Sequence, residues 1–197
     1  PKMNFNYQIA VLYGQSGKTD LMIETFLDEA FANPNSTIMI QNQLSRFMTE
    51  EAEESFNTSL RKSLLLRAQK NQDIFWNQFL SWFFVQQKEY SKAFIQEKAI
   101  YRREPESFSN IVNLAQLALE ENEEETAQEI FGFVLENTQD QDLQILANYY
   151  LMEAKIKKAP EKNYPAIKAE LDLLVKKFGI TPYSLQLQIL QAHYTTF

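Results

Sequence analysis

A few stretches of the chain hold residue types that could do chemistry. Gly14-Gln15-Ser16-Gly17-Lys18-Thr19 has the closing half of a phosphate-binding loop, in which backbone amides cradle phosphates and a lysine reaches their outer oxygens. That chemistry would make the chain a nucleotide-dependent phosphotransferase working through residues 14–19. The motif needs a glycine five residues before Gly17, and Leu12 stands there. No later hydrophobic strand ending in Asp is available to hold magnesium. The competing expectation is a hairpin turn in which Gly17 closes one helix and Thr19 or Asp20 caps the next. Glu50-Glu51-Ala52-Glu53-Glu54 could be a metal site, but it lacks the alternating Asp and central Gly of a calcium loop and reads as a solvated helix start. Glu120 to Glu125 concentrates five carboxylates in one turn. An exposed turn offers nothing apolar to raise one of them for acid catalysis. His193 is the single histidine, and no nucleophile–base pair or metal-ligand set assembles around it. The residues therefore favour a protein that is not an enzyme and needs no cofactor or metal.

Composition narrows the classes further. The chain has 197 residues, 45% of them hydrophobic, and a formal net charge of −7. That balance disfavours nonspecific attraction to nucleic acid or an anionic membrane. The absence of Cys removes disulfides and thiolate zinc sites. No apolar run approaches the roughly 20 residues of a membrane helix. With only four Gly and six Pro, tight turns are few and a sheet-rich fold is not expected. The opening Pro-Lys-Met leads us to expect a piece of a longer chain.

The elements that would position any site follow from a repeated skeleton: Leu or Ile, a small residue, two residues, then a larger one. It appears as Ile9-Ala10…Tyr13, Leu44-Ser45…Met48, Leu80-Ser81…Phe84, Leu114-Ala115…Ala118 and Leu146-Ala147…Tyr150. The small residues are spaced 35, 36, 34 and 32 apart. A period in the mid-thirties is the mark of stacked helical hairpins. Apolar positions at helical spacing predict hairpins at about 4–34, 36–71, 72–104, 107–138 and 141–178, and a last helix at 181–195, in one domain over 1–197. Within them Leu21, Met22, Phe26, Leu27 and Ala30 are expected to face inward, as are Ile38, Ile40, Leu44, Phe47, Met48, Phe56, Leu60, Leu64 and Leu65. The segment 72–88 is apolar nearly all round and should lie between neighbours.

These residues resemble the tetratricopeptide repeat family, whose pattern pairs a large residue on a first helix with Ala-x3-Phe on the second and a closing Pro. Ile9-Ala10…Tyr13 leads to Met22, Phe26 and Pro34; Leu80-Ser81…Phe84 to Ala93 and Pro105; Leu114-Ala115…Ala118 to Ala127 and Phe131. Glu97 departs from the pattern where Phe is expected, and Gln139 replaces one Pro. The likeness is nearest to segments of large bacterial repeat proteins of the Bacteroidota type, many of which look exported to the periplasm or cell envelope. It implies an all-α, right-handed superhelical solenoid of about five hairpins plus a terminal helix. It also implies a protein–protein interaction scaffold holding a peptide in a groove lined by the first helix of each pair. Steps of −3, +1 and +4 from each small residue name the groove candidates: Tyr7, Val11 and Gly14; Asn42, Arg46 and Thr49; Gln78, Trp82 and Val85; Val112, Gln116 and Leu119; Gln144, Asn148 and Leu151. Only Arg46 among them is basic, so a clamp for a peptide's terminal carboxylate is not expected. The partner implied is a protein or peptide segment, apolar or amide-rich rather than acidic, with self-association through uncapped ends a further possibility. A structural segment of a longer solenoid, with no ligand of its own, is the alternative.

Overall fold

The computed structural model describes residues 5–48 and 53–195, and every regular element among them is helical. The α-helices are α1 (Asn6–Gln15), α2 (Thr19–Ala32), α3 (Thr37–Phe47), α4 (Glu53–Lys70), α5 (Ile74–Gln86), α6 (Tyr90–Arg103), α7 (Ser109–Glu120), α8 (Glu124–Asn137), α9 (Gln141–Lys158), α10 (Tyr164–Phe178) and α11 (Leu185–Thr195). The chain divides into two compact units, residues 1–89 and 90–197. The division passes through the turn between α5 and α6, so each unit is described in turn.

Three helix ends share one backbone device. After α1, the Lys18 amide donates to the Tyr13 carbonyl at 2.9 Å and the Gly17 amide to Gly14 at 3.0 Å. After α5, Glu89 donates to Phe84 at 2.8 Å and Lys88 to Val85 at 3.0 Å; after α7, Glu123 donates to Ala118 at 2.8 Å and Asn122 to Leu119 at 3.1 Å. Each pair is a Schellman motif, which satisfies carbonyls left over at a helix end and needs a left-handed residue. Gly17, Lys88 and Asn122 occupy that position with φ of 68°, 54° and 62°. Lys88 and Asn122 are one 34-residue period apart, and Gly17 precedes Lys88 by about two periods. Thr49, Glu50, Glu51 and Ala52, where the second hairpin would turn, lie outside the described residues.

In the first unit, Met22, Ile23, Phe26, Leu27 and Ala30 of α2 are buried, as are Ile40 and Leu44 of α3, Leu60 and Leu64 of α4, and Phe79, Leu80 and Phe83 of α5. Each large apolar side chain so placed contributes about 1.5–3 kcal/mol. Leu21 (49% exposed), Ile38 (72%) and Leu65 (45%) face solvent instead. In each case a neighbour on the same helix, Ile23, Ile40 or Leu64, takes the inward direction, because a step of one or two residues turns a side chain well off the buried face. Phe31 stacks on Trp76 at 5.1 Å and ties α2 to α5. Arg67 of α4 donates to Asp28 at 2.7 Å and Glu24 at 2.5 Å, with its guanidinium 5.2 Å from the Trp76 ring. Asp73 caps α5 by accepting from the Phe75 amide at 2.9 Å.

In the second unit, α7, α8 and α9 pack successively. Ala127, Ile130, Phe131 and Val134 of α8 are fully buried. Asp140 caps α9 by accepting from the Leu143 amide at 3.0 Å. Ile145 and Met152 of α9, Ile167, Leu171 and Phe178 of α10, and Leu187 of α11 form one apolar cluster. The last helix begins at Leu185, later than expected, because residues 181–184 wrap around Ser184. That buried hydroxyl donates to the Gly179 carbonyl at 2.6 Å and accepts from the Thr181 amide at 3.0 Å.

Four of the five short residues of the repeat skeleton are buried. Ala10, Ala115 and Ala147 are wholly buried, and Ser81 is 5% exposed. Ser45 is half-buried, its hydroxyl donating to the Gln41 carbonyl at 2.9 Å. Glu97, standing where the repeat pattern has Phe, is also buried.

Candidate binding groove

The phosphate-loop-like stretch is a helix ending. Ile9 to Tyr13 lie within α1, so no strand precedes it. The amides of Ser16, Gly17 and Lys18 all donate to carbonyls of α1, at Leu12, Gly14 and Tyr13. The donors that would cradle an anion are already engaged. Lys18 is exposed, 6.0 Å from the Tyr13 ring. Neither Thr19 nor Asp20 caps α2; Lys18 sits at the cap position without a side-chain bond. Asp20 in the first turn suits the helix dipole. Glu124 of the acidic turn departs from its expected exposure: it opens α8 and is buried. Among the described residues no group of three or more His, Asp or Glu could hold a metal ion, and no described helix is long and apolar enough to cross a membrane.

The groove candidates separate by unit. In the first unit, Tyr7 is half-buried and tilted against Phe26 at 5.5 Å, and Val11 is half-buried. Gly14 is half-buried under Met22 and Phe47; a methyl there would meet the Met22 sulfur at 2.5 Å, so it serves packing. Asn42, Arg46 and Gln78 are exposed. Trp82 and Val85 are half-buried, and Trp82 meets Phe79 edge-on at 5.3 Å, so its helix is not fully enclosed as its apolar composition suggests.

In the second unit the structure brings two candidates together. Gln116 and Leu119 of α7, with Glu120, line a cavity of about 340 Å³ opposite Tyr150, Glu153 and Lys157 of α9. The Gln116 amide donates to the Tyr150 hydroxyl at 2.8 Å. Lys157 reaches across to the Leu119 carbonyl at 3.4 Å. Val112 is only 8% exposed and belongs to the core. Gln144 and Asn148 are half-buried and tied locally, Gln144 to the Thr138 carbonyl at 3.2 Å and Asn148 to the Gln144 carbonyl at 2.7 Å. Leu151 is half-buried.

Tyr150 is held on several sides. Its ring stacks on Phe131 of α8 at 5.1 Å and 6°, and Tyr149 meets it edge-on at 5.0 Å. The large residue of one repeat's second helix thus packs on the large residue of the next repeat's first helix. Tyr150 also lines a second cavity of about 460 Å³, with Asp140, Asp142, Leu143, Ile145, Leu146, Tyr149, Tyr183 and Gln186. Burial, then the Glu153 carboxylate and Tyr150, push the Tyr149 phenol above its ordinary value. The Tyr149 hydroxyl lies 3.5 Å from Glu153. Tyr150 enters the sequence pattern only as the large residue after Ala147, and nothing in that pattern marks this cavity. The available signal is the Tyr-Tyr doublet, since a phenol usually keeps its hydroxyl within reach of water or a partner.

Comparison with protein-family models finds no match, and comparison with curated proteins finds none either.

Proposed function

We propose that the chain is a non-catalytic protein-interaction scaffold of tetratricopeptide-like hairpins, which holds a segment of a protein partner against the first helices of successive pairs. The carrying observation is the cavity between α7 and α9, where an amide one residue beyond the buried Ala115 meets the phenol of the next repeat. A solenoid arrangement accounts for the short residues at a steady period, the recurring Schellman turns and the Phe131–Tyr150 stack. The cavity is lined by an amide, a phenol, an aliphatic wall, one lysine and the carboxylates of Glu120 and Glu153, which suits an apolar or amide-bearing segment that is not acidic.

The test is selection of displayed peptides on the full chain, followed by binding to a Gln116→Arg variant that fills the cavity. Enrichment of apolar and amide-rich peptides, with affinity lost in the variant, supports the proposal. Peptides binding the variant equally well would overturn it. A rise in melting temperature with ATP and magnesium that disappears in Lys18→Ala would favour the nucleotide alternative.

A further inference from the structure

We propose that the larger cavity of the second unit takes an arginine side chain of the bound partner segment. This rests on the scaffold reading above and deepens it. Three tyrosines, Tyr149, Tyr150 and Tyr183, line the cavity together with the carboxylates Asp140 and Asp142. None of its nine lining residues is Lys, Arg or His. Aromatic faces attract cations through their quadrupole, and nearby carboxylates add to the same sign of field. A planar guanidinium satisfies both, stacking on a ring while its N–H fork reaches carboxylate oxygens, whereas an ammonium is more strongly hydrated and lacks the flat face. Two of the walls are preorganised. Tyr150 is clamped by Phe131 and Gln116, and Asp140 is fixed by its cap bond to Leu143. The neighbouring α7–α9 cavity adds Glu120 and Glu153 against the single Lys157, so the surface flanking Tyr150 on both sides is net acidic.

The probe is N-acetyl-arginine methyl ester, a cation without a carboxylate, titrated into the full ¹⁵N-labelled chain. Its control is N-acetyl-citrulline methyl ester, of the same shape without the charge. The expected result is saturable shifts at the amides of Asp142, Tyr149, Tyr150 and Tyr183 in the millimolar range. The citrulline ester should bind at least about tenfold more weakly, and Tyr183→Ala should weaken the arginine ester by roughly two- to thirty-fold. Tyr183 is 67% exposed and Asp142 is exposed, so Tyr183→Ala and Asp142→Asn should leave the fold intact. No saturable shift, equal response to both esters, or unchanged binding in both variants would each overturn the inference. If the arginine ester fails while selected peptides still bind between α7 and α9, this inference alone falls. If peptide binding there is lost, the scaffold reading falls with it.

Discussion

The Gln116 amide donates a 2.8 Å hydrogen bond to the hydroxyl of Tyr150, one 34-residue repeat farther along the chain. The bond joins α7 to α9, whose residues line one cavity together. Tyr150→Phe removes the hydroxyl and keeps the stack on Phe131. We expect a loss of about 0.5–1.5 kcal/mol in denaturant unfolding, the net value of one such bond, with helix content unchanged. A variant as stable as the parent would mean that the bond adds nothing to holding α7 against α9.

Close approach at the short residues predicts an asymmetry between repeats. Ala147 is wholly buried, whereas Ser45 is half-buried. Ala147→Leu forces extra volume into a packed contact and should cost about 1–3 kcal/mol or more. Ser45→Ala removes only a hydroxyl bonded within its own helix and should stay within about 0.5 kcal/mol of the parent. Equal effects at the two positions in thermal or urea unfolding would count against nesting as the reason for the small residues.

Left-handed residues at the turns give a prediction with opposite signs. A methyl at Gly17 would meet nothing within 4 Å, so Gly17→Ala tests backbone strain alone and should destabilise by about 1 kcal/mol. Lys88 holds the same conformation at φ 54° with a side chain attached. Lys88→Gly should relieve strain and raise stability by about 0.5–1 kcal/mol. Chemical unfolding midpoints of the two variants should move in opposite directions.

Acid sensitivity should centre on the α2–α4 contact of the first unit. Burial opposes ionisation of Glu24, but the Ser63 hydroxyl and the Arg67 guanidinium outweigh it and hold the carboxyl below its ordinary value of 4.5. Arg67 is correspondingly pushed up, as Glu24 and Asp28 overcome its burial. A carboxyl lowered on folding stabilises the folded state above its unfolded value, and that contribution disappears as the pH falls through the folded value. The parent should therefore lose stability between about pH 5 and pH 3 more steeply than Glu24→Gln, as read by unfolding at stepped pH. Parallel curves would show that the pair is fully screened by solvent.

Much of this fold is legible in the sequence because two periodicities act together. Apolar spacing within a helix marks the buried face, and the recurrence of Ala or Ser marks positions that are mostly buried, so the expected helix limits from 36 to 178 fall close to the helices observed. Individual directions are less legible. Leu21 and Ile38 look like core residues by type, yet Ile23 and Ile40, two residues on, take the buried face. The turn at Gly14–Thr19 reads as a helix ending rather than a phosphate loop already from Leu12, and its amides are bonded back to α1. The tyrosine cavity escaped for a related reason. Tyr149 and Tyr150 satisfy an apolar pattern whether their hydroxyls end in core or in a cleft, and Tyr183 comes from a turn whose path depends on the Ser184 hydroxyl bonds.

A partner segment held between α7 and α9 is best sought by amide-resolved NMR of the ¹⁵N-labelled chain with a selected peptide. Saturable shifts should then concentrate at Gln116, Leu119, Tyr150, Glu153 and Lys157. Shifts concentrated instead at the turn of residues 14–19, or on faces away from α7 and α9, would contradict that placement.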